Sequence, residues 1–121
     1  MGYNVEETIP SLVGYALVTG DKEALDIMEK TMKVHIEFML PDGAWDNSWG
    51  TRNFKWTYWG SRTSDGCQAG FAALADRDSR FYTAALKNLE LLSACTHGGL
   101  LYGGPYFRSH GQPPCIHHTF A

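Results

Sequence analysis

The sequence predicts an all-α fold of antiparallel helical hairpins, and three observations predict it. Apolar residues recur at three-and-four spacing, as in Leu25, Met28, Met32, Ile36 and Met39, the period of one buried helix face. Thr19-Gly20-Asp21 joins a residue suited to a left-handed helix end to one suited to cap the next helix. The pattern then occurs twice. Leu17-Val18-Thr19-Gly20-Asp21 aligns with Leu74-Ala75-Asp76-Arg77-Asp78, and Asp42-Gly43-Ala44-Trp45 aligns with Gly98-Gly99-Leu100-Leu101 at nearly the same offset, which is an internal repeat. The chain therefore reads as one helical domain, 1–121, of two hairpin units at about 4–63 and 64–118.

The elements follow in order. A first helix, capped by Asn4 or Thr8, runs to about Val18; Pro10 is tolerated because it lies near the start, and Asn4 with Glu7 has capping-box spacing. Gly20 ends it. Asp21 caps a second helix whose buried face reaches Met39, and Pro41-Asp42-Gly43 stops that helix. Ser64 or Asp65 caps a third through Ala75, where Gly66 and Gly70 allow a neighbouring helix to approach closely. The fourth runs from about Ser79 to Cys95 with Tyr82, Ala85, Leu89 and Leu92 on its core side, and Gly98-Gly99 ends it. Strand signals are weak, with at most a short ribbon over 54–59.

The stretches 40–63 and 96–118 each follow a hairpin and have no helical pattern. They hold all four tryptophans and four of the five histidines. Loops this long are functional or disordered, and disordered segments are aromatic-poor, so function is expected there. With the helices antiparallel, the short turns around Gly20 and Arg77 lie at one end and both long loops at the other. The loops share a face.

Charge and composition exclude several classes. The net charge of −3 comes from an acidic helical body, whereas 41–63 sets Asp42 and Asp46 against Arg52, Lys55 and Arg62, and 96–121 has Arg108 and no acid. Such loops suit an anionic small molecule or a glycan, while the positive charge is too sparse for a nucleic-acid binder. No run approaches the roughly 20 apolar residues of a membrane span, and Met1-Gly2-Tyr3-Asn4 carries no legible export signal. Gly98-Gly99 and Gly103-Gly104 lack the Lys-Ser/Thr of a phosphate loop. Cys67, Cys95 and Cys115 form an odd set without C-x-x-C spacing, and the first two are expected as buried small hydrophobes. His110, Cys115, His117 and His118 match no standard zinc spacing, so no metal site and no cofactor are expected.

Helix, Thr19-Gly20-Asp21 turn, helix, and then Pro41-Asp42-Gly43-Ala44-Trp45 or Leu101-Tyr102-Gly103-Gly104-Pro105 resemble the hairpin units of the six-hairpin (α/α) toroids. These include the heparinase II/III-like and alginate-lyase-like polysaccharide lyases and related glycoside hydrolases, commonly of bacteria that degrade acidic polysaccharides. The resemblance covers nearly the whole chain and about two hairpins, a partial (α/α) toroid with long loops on one face. It implies a fragment of a longer toroid, a periplasmic or secreted setting, and β-elimination on a uronate-containing glycan. Family lyases use an Asn or Arg at the carboxylate, a His as base and a Tyr as acid. Here Asn47, Arg62, His110 or His117, and Tyr102 are of the right types.

Trp45, Asp46, Trp49, Arg52, Trp56, Trp59, Tyr106 and Arg108 are the expected substrate contacts. The tryptophans stack on sugars or form the loop's own small core; both readings stand. Asp46 with Asp65 has the residue types of a glycosidase pair, the alternative chemistry, but Asp65 is more simply a helix cap. His35 lies between apolar neighbours and is expected to be structural. A non-catalytic glycan-binding or structural domain is the third reading. Two hairpins leave outer faces unburied, so a homo-oligomer or a larger chain is expected.

Overall fold

The computed structural model describes residues 7–46 and 67–101. They form α1 (Ile9–Thr19), α2 (Lys22–Ile36), α3 (Cys67–Ala73) and α4 (Ser79–Cys95), followed by the two-residue strands β1 (Thr96–His97) and β2 (Leu100–Leu101). The all-α class holds. α1 packs on α2 and α3, α3 on α4, and α2 lies alongside α4, so two hairpins stand side by side.

The caps explain the boundaries. Gly20 takes the left-handed conformation at φ 71°, and the Asp21 N–H reaches back to the Ala16 carbonyl at 3.1 Å, closing α1 as only a residue without a Cβ does at little cost. Asp21 then accepts the Ala24 N–H at 3.0 Å to start α2. Asp78 does the same for α4, accepting the Arg80 N–H at 3.0 Å. At the start of α1, Thr8 precedes the helix but its side chain makes no cap bond, and Asn4 lies outside the described residues.

Three boundary or face expectations are corrected. α2 ends at Ile36, not beyond Met39, because Met39 pairs antiparallel with Trp45 and leaves the helix to do so. α3 ends at Ala73, two residues before Ala75, and a turn with Arg77 N–H on the Leu74 carbonyl at 3.0 Å follows. The core side of α4 is Phe81, Ala84, Ala85, Asn88, Leu91, Leu92 and Cys95; Tyr82 and Leu89 are exposed. Phe81 sets that rotation by meeting Phe71 edge-on at 5.6 Å.

One core joins all four helices, through Ile9, Val13 and Ala16 of α1, Leu25, Met28 and Met32 of α2, Phe71 of α3 and Phe81 of α4. The expected close approach at Gly70 is present. A Cβ there would lie 2.9 Å from the Ile9 Cγ2 and 3.3 Å from the Pro10 nitrogen, so α1 and α3 meet nearly backbone to backbone. Arg77, in the turn of the second hairpin, bonds Glu29 of α2 at 3.1 Å and stands 3.6 Å from Asp26. Lys33 and Arg77 beside Glu29 hold its carboxyl below the usual carboxylate range.

Candidate functional site

The described parts of the two rich segments, residues 38–46 and 96–101, both meet the C-terminal half of α4. β1 continues α4 directly, and Gly98 and Gly99, both at positive φ, turn it into β2 with Thr96 opposite Leu101, as a two-residue hairpin requires. The other segment arrives by a fold-back over residues 38–46. There Leu40 N–H donates to the Ala44 carbonyl at 2.7 Å and Asp46 N–H to the Phe38 carbonyl at 2.9 Å, while the Asp42 carboxylate accepts the Ala44 N–H at 3.1 Å. Ala44 packs with Leu91 and Cys95 of α4.

α4 clamps that fold-back from below. The Lys87 amine donates to the Pro41 carbonyl at 2.9 Å, and the buried Asn88 amide donates to the Gly43 carbonyl at 3.0 Å. Gly43, at φ 87°, rests on the Lys87–Asn88 peptide so closely that a Cβ would overlap the Lys87 carbonyl oxygen. The fold-back is therefore fixed through Pro41, Gly43 and Ala44 on the C-terminal half of α4. Lys87, Asn88 and Gly43 were not singled out as site-forming by sequence reasoning. Asn88 carried a signal: it is the polar residue within the buried face that Phe81, Ala84 and Leu91 define.

Of the expected site residues, two are described. Asp46 is half-buried at the end of the fold-back. Trp45 is 1% exposed and lies against Phe71 with ring centroids 5.5 Å apart, so its expected role as a sugar contact is corrected to that of a core residue holding the loop base. Its indole has no open face left to offer a sugar. Asn47, Trp49, Arg52, Trp56, Trp59, Arg62, Tyr102, Tyr106, Arg108, His110 and His117 lie outside the described residues, as do Asp65 and the ribbon over 54–59. His35 places Nδ1 2.8 Å from the Thr31 carbonyl of its own helix, and Cys95 is buried in the core.

Beside the fold-back, a cleft of about 330 Å³ is lined by Ile36, Met39, Pro41, Arg80, Thr83 and Lys87, among others. Its cations are already engaged. Arg80 bonds Asp78 at 2.8 Å and lies 3.6 Å from Glu37; the Arg80 hydrogen bonds pull the Asp78 carboxyl down to about 2, and Asp78 raises Arg80 in turn. Among the described residues there is no cluster of three His, Cys, Asp or Glu side chains able to hold a metal, and no helix long and apolar enough to cross a membrane.

Residues 1–121 match the family described as the ulvan lyase N-terminal domain, and the chain belongs to that family. It is 61% identical over 120 residues to a broad-specificity ulvan lyase of Formosa agariphila, a match that covers 99% of this chain and 19% of the relative. The chain thus spans about a fifth of that relative's length. No solved structure matches it.

Proposed function

We propose that this chain is the N-terminal helical part of a polysaccharide lyase that cleaves an acidic, uronate-containing glycan of the ulvan type by β-elimination. The observation that carries the reading is the 61% identity, across 99% of the chain, to a broad-specificity ulvan lyase. The meeting of Ala44 and of β1 with the C-terminal end of α4 supports it. The two hairpins form part of an (α/α) toroid, and the site residues project from its loop face in a periplasmic or secreted protein.

In the proposed reaction, His110 or His117 takes the proton at the carbon α to the uronate carboxylate. Asn47 and Arg62 stabilise the negative charge that develops on that carboxylate, without which the carbon acid is too weak to be deprotonated at useful rates. The electron pair forms the new carbon–carbon double bond as the neighbouring glycosidic C–O bond breaks, and Tyr102 protonates the leaving oxygen. Trp49, Trp56, Trp59 and Tyr106 offer faces for sugar rings; Arg52 and Arg108 attract the anionic chain, and Asp46 bonds hydroxyls. No metal or cofactor enters this scheme.

Tryptophan fluorescence tests the binding half of it. Uronate oligosaccharides shift the emission, and the shift weakens with added salt as attraction is screened. Trp49→Ala and Arg62→Ala each reduce binding with the helical circular dichroism intact, whereas substitution of His35 leaves binding unchanged. Trp45→Ala instead lowers the melting temperature, because it opens a cavity worth about 3–5 kcal/mol in the core. Equal binding by wild type, Trp49→Ala and Arg62→Ala would overturn the assignment of the loop face.

A further inference from the structure

The fold-back over residues 38–46 is a short antiparallel ribbon. Its rungs are the Leu40 N–H on the Ala44 carbonyl and the Asp46 N–H on the Phe38 carbonyl, with Met39 opposite Trp45 between them. Side chains along such a ribbon alternate between its two faces. Trp45 goes inward to Phe71, whereas Ala44 packs on Leu91 and Cys95 of α4. Asp46, two residues on from Ala44, falls on the Ala44 face, the one turned to the last turn of α4, where β1 begins.

The Trp45 ring decides which face goes inward but not the angle at which the ribbon lies, because apolar packing is non-directional. α4 supplies the direction. The Asn88 amide donates to the Gly43 carbonyl at 3.0 Å and the Lys87 amine to the Pro41 carbonyl at 2.9 Å, so both bonds fall on the ribbon's tip. Asn88 meets this need at a cost. It is fully buried, and its oxygen has no hydrogen-bond partner among the described residues, a loss that an apolar side chain of the same size would avoid. A group that lowers stability, yet bonds the segment carrying a site residue, has the marks of a positioning role.

We infer that Asn88 is a positioning residue for glycan binding: its bond to Gly43 fixes the ribbon on α4 and thereby the place of the Asp46 carboxylate. The inference rests on the reading of Asp46 as a contact to substrate hydroxyls. Asn88, buried beneath the ribbon, acts only through it. Without the Asn88 bond the ribbon keeps Trp45 in the core but swings at its tip, and the carboxylate is less often where a sugar hydroxyl needs it. The effect falls on binding rather than on the chemical step.

A double-mutant cycle on the full-length protein with ulvan, following the unsaturated product, tests it. Asp46→Ala raises KM about tenfold, the worth of a hydrogen bond to a charged group. Asn88→Ala raises KM by a similar factor with kcat within about twofold of wild type, and the double variant stays near about tenfold rather than about a hundredfold. Asn88→Leu, which fills the space of the amide, gives the same KM as Asn88→Ala, with every variant assayed below its melting transition. Additive increases, or a wild-type KM in Asn88→Ala and Asn88→Leu, overturn the inference and leave Asp46 as a contact. A wild-type KM in Asp46→Ala overturns the reading of Asp46 and the inference with it, and wild-type protein that forms no unsaturated product from ulvan overturns the lyase reading as well.

Discussion

Gly43 carries two constraints at once: its φ of 87° lies where L-residues rarely go, and a Cβ would overlap the Lys87 carbonyl oxygen. Gly43→Ala therefore costs at least the roughly 1–2 kcal/mol of a left-handed alanine, plus the displacement of a backbone that has no room to yield. Its melting temperature falls by about 4 °C for each kcal/mol lost; an unchanged melt would mean that the fold-back does not rest on α4. Asn88 beside it is a costlier arrangement than it looks, because its amide nitrogen is used and its buried oxygen has no hydrogen-bond partner among the described residues. Asp78 makes the residue-scale prediction about pH. Its folded pKa of about 2 is depressed from 3.8 by Arg80, so the stability it adds is fully present above the unfolded value and is lost as pH falls through the folded one. Asp78→Asn keeps a capping side chain but removes the charge pair. The gap in melting temperature between wild type and Asp78→Asn is thus constant above about pH 4 and closes toward pH 2; a gap that persists at pH 2 contradicts this origin.

At the scale of elements, the helices were legible wherever caps and periodicity agreed. Asp21 and Asp78 mark their helix starts in sequence and in structure alike, and Asp21→Ala costs about 1 kcal/mol by leaving the Ala24 N–H without its acceptor; a melt identical to wild type would refute that cap. The end of α2 was not legible, because periodicity runs on to Met39 and gives no sign that Met39 pairs with Trp45. Magnitudes explain the outcome. Burying an indole of about 150 Å² at about 25 cal/mol/Å² is worth roughly 4 kcal/mol, while one more turn of helix changes stability by only tenths of a kcal/mol per residue. The face of α4 was misread for a related reason. Tyr82 and Leu89 are as apolar in pattern as Phe81 and Leu91, and a helix with two apolar stripes cannot reveal from its own sequence which stripe the neighbouring hairpin covers.

At the scale of the whole molecule, the sequence sets an acidic hairpin body beside cationic, His-bearing segments. The expected placement of both long loops at one end rests on antiparallel order, and within the described residues Ala44 packs on Leu91 and Cys95. What the residue pattern could not supply was the clamp of Lys87, Asn88 and Gly43, a contact between residues distant in sequence whose only trace is one asparagine on an apolar stripe. Nor did it decide between stacking and packing for the tryptophans; for Trp45 burial decides, because the fold-back turns the ring inward onto Phe71. The central claim, a lyase built on this scaffold, is tested most directly by incubating the full-length protein with ulvan and following ultraviolet absorbance of the unsaturated product. Absorbance is expected to rise with chain cleavage, and Tyr102→Phe and His110→Ala to abolish both. Cleavage without the absorbance, as in hydrolysis, would contradict it.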